Sequence, residues 1–123
     1  MAGLNNAAMG VAATALKGVL LYAQLHSGLA GAAGTSNVTT AARKPVSWGT
    51  TSGAGDFGLA AQIDFTGGAS NGPIQSVTLW SAITSGTFYG EFIVAATTPG
   101  VTPAFNSSGD FSLTSLDLDG SAS

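Results

Sequence analysis

Apolar positions in the first third of the chain follow two successive patterns. Leu4, Ala8, Val11 and Ala15 recur at helical spacing inside an Ala-rich stretch, and Ala loses little side-chain entropy in a helix. The spacing predicts a helix over Asn6 to Lys17, with Gly18 as its stop. From Val19 the pattern becomes strand-like, with Leu21, Ala23 and Leu25 on one face and Leu20, Tyr22, Gln24 and His26 on the other. Ser27 to Asn37, which contains Gly28, Gly31 and Gly34, reads as a long flexible loop.

The remainder reads as short strands separated by Gly, Ser, Thr and Pro. Val46 and Trp48 point one way at the end of Thr39 to Gly49, and Thr50 to Asp56 is a turn or loop. The strictest alternation is Phe57, Leu59, Ala61, Ile63 and Phe65 against Gly58, Ala60, Gln62 and Asp64, the pattern of a half-buried strand. Gln75 to Ser81 and Thr87 to Val94 flank Thr84, Ser85 and Gly86 in the layout of an antiparallel hairpin. Phe111 and Leu113 share one parity, Leu116 and Leu118 the other, so a bulge or kink is expected near Thr114 and Ser115. The elements together predict a mainly β fold, an antiparallel β-sandwich or small barrel with one N-terminal α-helix. Its expected organisation is a single domain over 1–123: helix 1–18, β-domain 19–119 and a short tail 120–123.

Composition narrows the function classes. Charged residues make up 7% of the 123, against about 25% in ordinary domains. Three basic side chains and a net charge of -3 leave no surface to neutralise phosphates, so nucleic acid is not an expected partner. Without Cys there is no disulfide framework, thiolate metal site or redox motif. Lys17 interrupts the apolar run Ala7 to Leu25, and a charge at bilayer centre costs about 2.5 kcal/mol or more, so membrane insertion is not expected. Met1 to Asn6 lacks the basic start of a signal peptide. Arg43, Lys44 and Pro45 read as an edge-strand device, because Lys and Pro discourage edge-to-edge pairing.

Several short matches resemble chemical motifs but lack their context. Gly68-Ala69-Ser70-Asn71-Gly72 fits a nucleophile elbow, yet Pro73 and a strand follow where a helix is required, and the one His, His26, lies upstream. Gly53-Ala54-Gly55-Asp56-Phe57-Gly58 fits a dinucleotide-binding glycine loop, yet it opens a strand rather than a helix, so no helix dipole meets a phosphate. Asp110, Asp117 and Asp119 are clustered carboxylates short of the six to eight oxygens that calcium takes. One His without Cys cannot build an imidazole zinc site. Asn37-Val38-Thr39 and Asn106-Ser107-Ser108 fit the glycosylation pattern, which matters only in a secreted eukaryotic protein. No catalytic, cofactor-binding or metal-binding residue is therefore expected.

Three stretches carry a resemblance. Leu21-Tyr22-Ala23-Gln24-Leu25-His26-Ser27-Gly28, then Ala41-Ala42-Arg43-Lys44-Pro45-Val46-Ser47-Trp48, then Val77-Thr78-Leu79-Trp80-Ser81-Ala82 through Gly86-Thr87-Phe88-Tyr89-Gly90 resemble a family of small tailed-phage virion proteins. Its members are described as tail fibre or minor tail proteins of phages infecting actinobacteria, and related domains decorate capsids. The chain departs from the family where Gly28-Leu29-Ala30-Gly31 replaces a Gly-Asp-Pro-Gly turn and where Ala41-Ala42-Arg43 replaces Tyr-Ala-Arg. The resemblance spans most of the chain and brings no catalytic residue. It implies a non-enzymatic subunit of the tail or capsid surface, with other virion proteins and copies of itself as partners.

Two sets of residues are candidates for contacts. Leu4, Ala8, Val11, Ala15 and Leu16 offer small and apolar groups for assembly. Under the alternative reading, a carbohydrate-binding module recognising a host-surface glycan, Trp48, Trp80 and Tyr89 would stack on sugars, although aromatics in so small a domain are its main core material.

Overall fold

A computed structural model describes residues 5–52, 55–96 and 99–118. Helix α1 runs Asn6–Lys17, where the periodicity places it. Asn5 caps it by accepting the Ala8 N–H at 2.9 Å, which satisfies one of the donors a helix start leaves free. Gly18 ends it with its N–H on the Ala15 carbonyl, in an ordinary right-handed conformation. Met9 and Ala13 face the core, while Val11, in the expected stripe, is 72% exposed and Ala15 is exposed with it. An Ala-rich helix has little apolar contrast between its sides, and the bulkier Met9 decides which one turns inward. Gly55, at φ +87, passes so close to Met9 that a Cβ there would lie 2.6 Å from the Met9 carbonyl oxygen. Lys17 fastens the other end, its ammonium donating to Gly49 O at 2.7 Å and lying 5.3 Å from the Phe57 ring centre. Among the described residues, no helix is long and apolar enough to cross a membrane.

Six strands follow: β1 (Tyr22–His26), β2 (Lys44–Pro45), β3 (Ile63–Phe65), β4 (Ser76–Trp80), β5 (Phe88–Ile93) and β6 (Phe111–Leu113). They form two antiparallel sheets, β2-β1-β4-β5 and β3-β6, a sandwich-like arrangement. Between them Ala23, Leu25, Val77 and Leu79 of the large sheet meet Ile63, Phe65 and Leu113 of the small one, with Ile74 and Phe105 filling the same cluster. β4 is central and buried along its whole length. Lys44 and Pro45 form one of the two edge strands of the large sheet, the position expected of an edge device.

Four details differ from the sequence pattern. Leu21 is 40% exposed while Leu20 is buried, because turn-like hydrogen bonds from Leu20 N to Leu16 O and from Leu21 N to Val19 O delay the strand alternation until Tyr22. The expected nine-residue strand from Phe57 to Phe65 is regular only over its last three residues. Phe57 bridges Leu118, Leu59 bridges Trp48, and the chain bends at Ala60 and Ala61 before pairing with β6, so Ala61 is exposed. The face switch near Thr114 and Ser115 is met by the end of β6 at Leu113. Six residues from Leu113 to Leu118 face seven from Phe57 to Ile63, which places the additional residue on the partner segment. The hairpin forms as expected, with a register shift that leaves Tyr89 as the bulged residue between Gly90, opposite Leu79, and Phe88, opposite Trp80.

The loop expected to be flexible is tied down, the fourth difference. Ser27 N donates to Asn37 O at 2.9 Å, His26 bridges Val38, and the span between folds over one face of the large sheet.

Candidate functional site

That face carries the polar positions of the alternation. Register sets Tyr22, Gln24 and His26 of β1 beside Trp80, Thr78 and Ser76 of β4, and Thr78 beside Glu91 of β5. The side chains of Val77 and Leu79 point into the sandwich, so Ser76, Thr78 and Trp80 point away from it and are nevertheless buried. The loop 27–37 supplies the cover.

His26, Ser76 and Thr78 have no exposed surface, and their hydrogen bonds form a closed set. His26 Nδ1 lies 2.8 Å from Ser36 O, which can only accept, so Nδ1 carries a proton. In the neutral ring Nε2 then accepts from the Thr78 hydroxyl at 2.8 Å. Trp80 Nε1 donates to the same hydroxyl oxygen at 2.8 Å. Ser76 Oγ donates to Glu91 Oε2 at 2.6 Å, and the Ala30 N–H reaches that oxygen at 2.6 Å. The Ser76 hydroxyl and the Ala30 N–H, with the nearby His26, hold the Glu91 carboxyl below its ordinary value. Arg43 closes one end of the row. Its guanidinium lies 3.9 Å over the Trp80 ring and donates to Gln24 Oε1, Ala82 O and Ser85 O. Arg43 thus holds the hairpin loop to β1 as well as standing next to the edge, a role the sequence pattern does not reveal.

A hydroxyl, an imidazole and a carboxylate share this face, yet their connections are not those of a nucleophile, base and orienting acid. Ser76 donates to Glu91, His26 is taken by Thr78 and Ser36, and all three hydroxyl and imidazole groups are sealed from solvent. The arrangement fixes strand register and holds a loop.

The remaining candidates lie apart from it. Ser70 is exposed on a turn with Asn71 at φ 57, and that turn leads to Pro73, which bridges Ala104, not to a helix. Gly53 and Ala54 of the glycine-loop match lie outside the described residues, and its Phe57 exchanges backbone hydrogen bonds with Leu118 in a ladder, not in a helix. Among the described residues no group of three or more His, Cys, Asp or Glu could hold a metal ion, and Asp119 lies outside them. Asn106 uses its side-chain oxygen on the Ser108 and Asp110 N–H groups, and Asn37 donates to Leu29 O.

Of the three aromatics considered for sugar stacking, Trp80 is 5% exposed under Arg43 and cannot offer a ring face. Trp48 is half-buried, donating to Leu20 O at 2.8 Å and meeting Phe57 edge to face at 5.1 Å. Tyr89 stands exposed on its bulge. Of the assembly candidates, Leu4 lies outside the described residues, Ala8 is half-buried, and Val11, Ala15 and Leu16 are exposed. An open groove of about 500 Å³, separate from the polar row, runs between Pro73, Ile74, Ile93, Val101 and Pro103 and has no charged side chain in its lining.

Sequence reasoning singled out His26 but missed Ser76, Thr78 and Glu91. The Ser-Val-Thr-Leu-Trp alternation marks them as one face, which reads as solvent-facing unless the covering loop is known. No protein-family model, curated protein or solved structure matches the chain.

Proposed function

We propose that the chain is a non-enzymatic structural subunit of a tailed-phage virion, on the tail or capsid surface, joined to other virion proteins and to copies of itself by protein contacts. The resemblance of the three stretches around Tyr22, Arg43 and Trp80 supports the virion setting. The observation that carries the assembly role is the outward side of α1. Val11 is 72% exposed and Leu16 is 38% exposed, with Ala15 between them in sequence, apolar surface that the sheets of the same chain leave uncovered.

Deleting Met1 to Gly10 is a poor test, because it also removes Met9 from the core. Val11→Glu in the full chain is cleaner: an exposed helix position takes the change within about 0.5 kcal/mol. The expected outcome is a folded protein that no longer associates or enters the particle. A folded Val11→Glu protein present at the parent copy number would overturn the assembly role of α1.

A further inference from the structure

We propose that residues 27–38 form a strap that opens as a unit while the sandwich stays folded, and that the Glu91 carboxylate is its latch. The strap's own hydrogen bonds travel with it: Ser36 N to Ala30 O and Gly34 N to Gly31 O. Its two feet lie side by side, joined by Ser27 N on Asn37 O, with Asn37 in the left-handed region at φ 56. Ala30 is its one buried apolar side chain and stands outside the contiguous core cluster, and Leu29 is 55% exposed. Apart from the backbone at Gly34 packed against the Phe88 ring, what fastens it to the sheet is polar: His26 Nδ1 to Ser36 O and Ala30 N to Glu91 Oε2. Segments held by few apolar contacts open at lower free energy than the core they cover.

Glu91 is the decisive fastening. The Ser76 hydroxyl has one proton, and at 2.6 Å it goes to Glu91 rather than to the more distant Gly28 carbonyl. The carboxylate therefore gathers donors from β4 and from the strap into two short, charge-assisted bonds. The titratable group facing it is His26 on β1. A proton on Glu91 removes the charge that both donors address. Because the folded carboxyl titrates below its ordinary value of 4.5, the latch is complete above that pH and is lost as pH falls through the folded value. Opening uncovers His26 and Ser76, while Arg43 stays over Trp80.

Backbone amide exchange on the full chain tests this. Glu91→Gln keeps the shape and removes the charge, and the Ala30 amide, the strap N–H that bonds the sheet, is expected to lose about tenfold in protection while Ser36, whose bond stays inside the strap, keeps its own. The amides of Val77 and Leu79 on β4 should keep the parent's protection. Gly34→Ala supplies a second route that leaves Glu91 in place, since its Cβ would lie 2.6 Å from the Phe88 ring at a φ of +73. It should give the same selective loss. In the parent, acidification below pH 4.5 should reproduce the loss after correction for intrinsic exchange, and in Glu91→Gln that acid step should vanish. Unchanged Ala30 protection in Glu91→Gln overturns the latch, and loss shared equally by Val77 and Leu79 in both variants overturns the strap.

Discussion

Thr78 shows how one hydroxyl can organise a face. Its oxygen accepts from Trp80 Nε1 while its proton goes to His26 Nε2, so two rings from two strands depend on a single side chain without exposed surface. Val has nearly the same shape and no polar atom. Thr78→Val therefore leaves an indole N–H and an imidazole nitrogen buried without partners, a loss of about 1 to 3 kcal/mol for each group left unsatisfied. Thr78→Ser keeps the hydroxyl and should retain most of that stability. Denaturant unfolding of the two variants separates them, and equal midpoints would show that the hydrogen bonds at Thr78 contribute nothing net.

At the scale of elements, β3 illustrates what local pattern can and cannot specify. The alternation from Phe57 to Phe65 assigns Phe57, Leu59, Ile63 and Phe65 to the core; Phe57, Ile63 and Phe65 are buried there, while Leu59 is half-buried against it. It does not specify the bend at Ala60 and Ala61, because the partner changes from the Trp48 and Leu118 segments to β6, and partners are non-local. Phe65 packs in the cluster at 1% exposure, and truncating it to Ala should cost about 3 to 5 kcal/mol. That is a large share of the roughly 5 to 15 kcal/mol that holds a typical domain. A Phe65→Ala protein melting within a degree or two of the parent would show that this ring is not part of the core. Helix α1 and the β4–β5 hairpin were legible because spacing and a short Gly-containing loop are local signals. The polar row was not, because its burial depends on where the 27–37 loop lands. Nothing in the composition of that loop says that its Ser36 carbonyl meets His26.

For the whole molecule, scarcity of charge has a consequence for association. Lys17, Arg43 and Lys44 are its three basic residues, and the first two are already used inside the fold, on Gly49 and Phe57 and on Trp80 and Gln24. Glu91 is turned to Ser76 and Ala30, and Asp64 accepts from Gln62 and Ser112. The α1 surface proposed for assembly offers Val11, Ala15 and Leu16, none of which responds to screening. Long-range attraction between exposed charges is largely screened beyond about 3 Å at 1 M salt, whereas burial of apolar groups is not weakened by it. Association through α1 should therefore keep its affinity, within a factor of about two, when salt is raised from about 0.1 M to about 1 M. Sedimentation of the purified chain, or retention of the subunit on salt-washed particles, measures this directly. A steep loss with salt would mean that ion pairs hold the interface, and the contact would then have to be sought around Lys44 and the exposed Asp110 and Asp117 instead of on the helix.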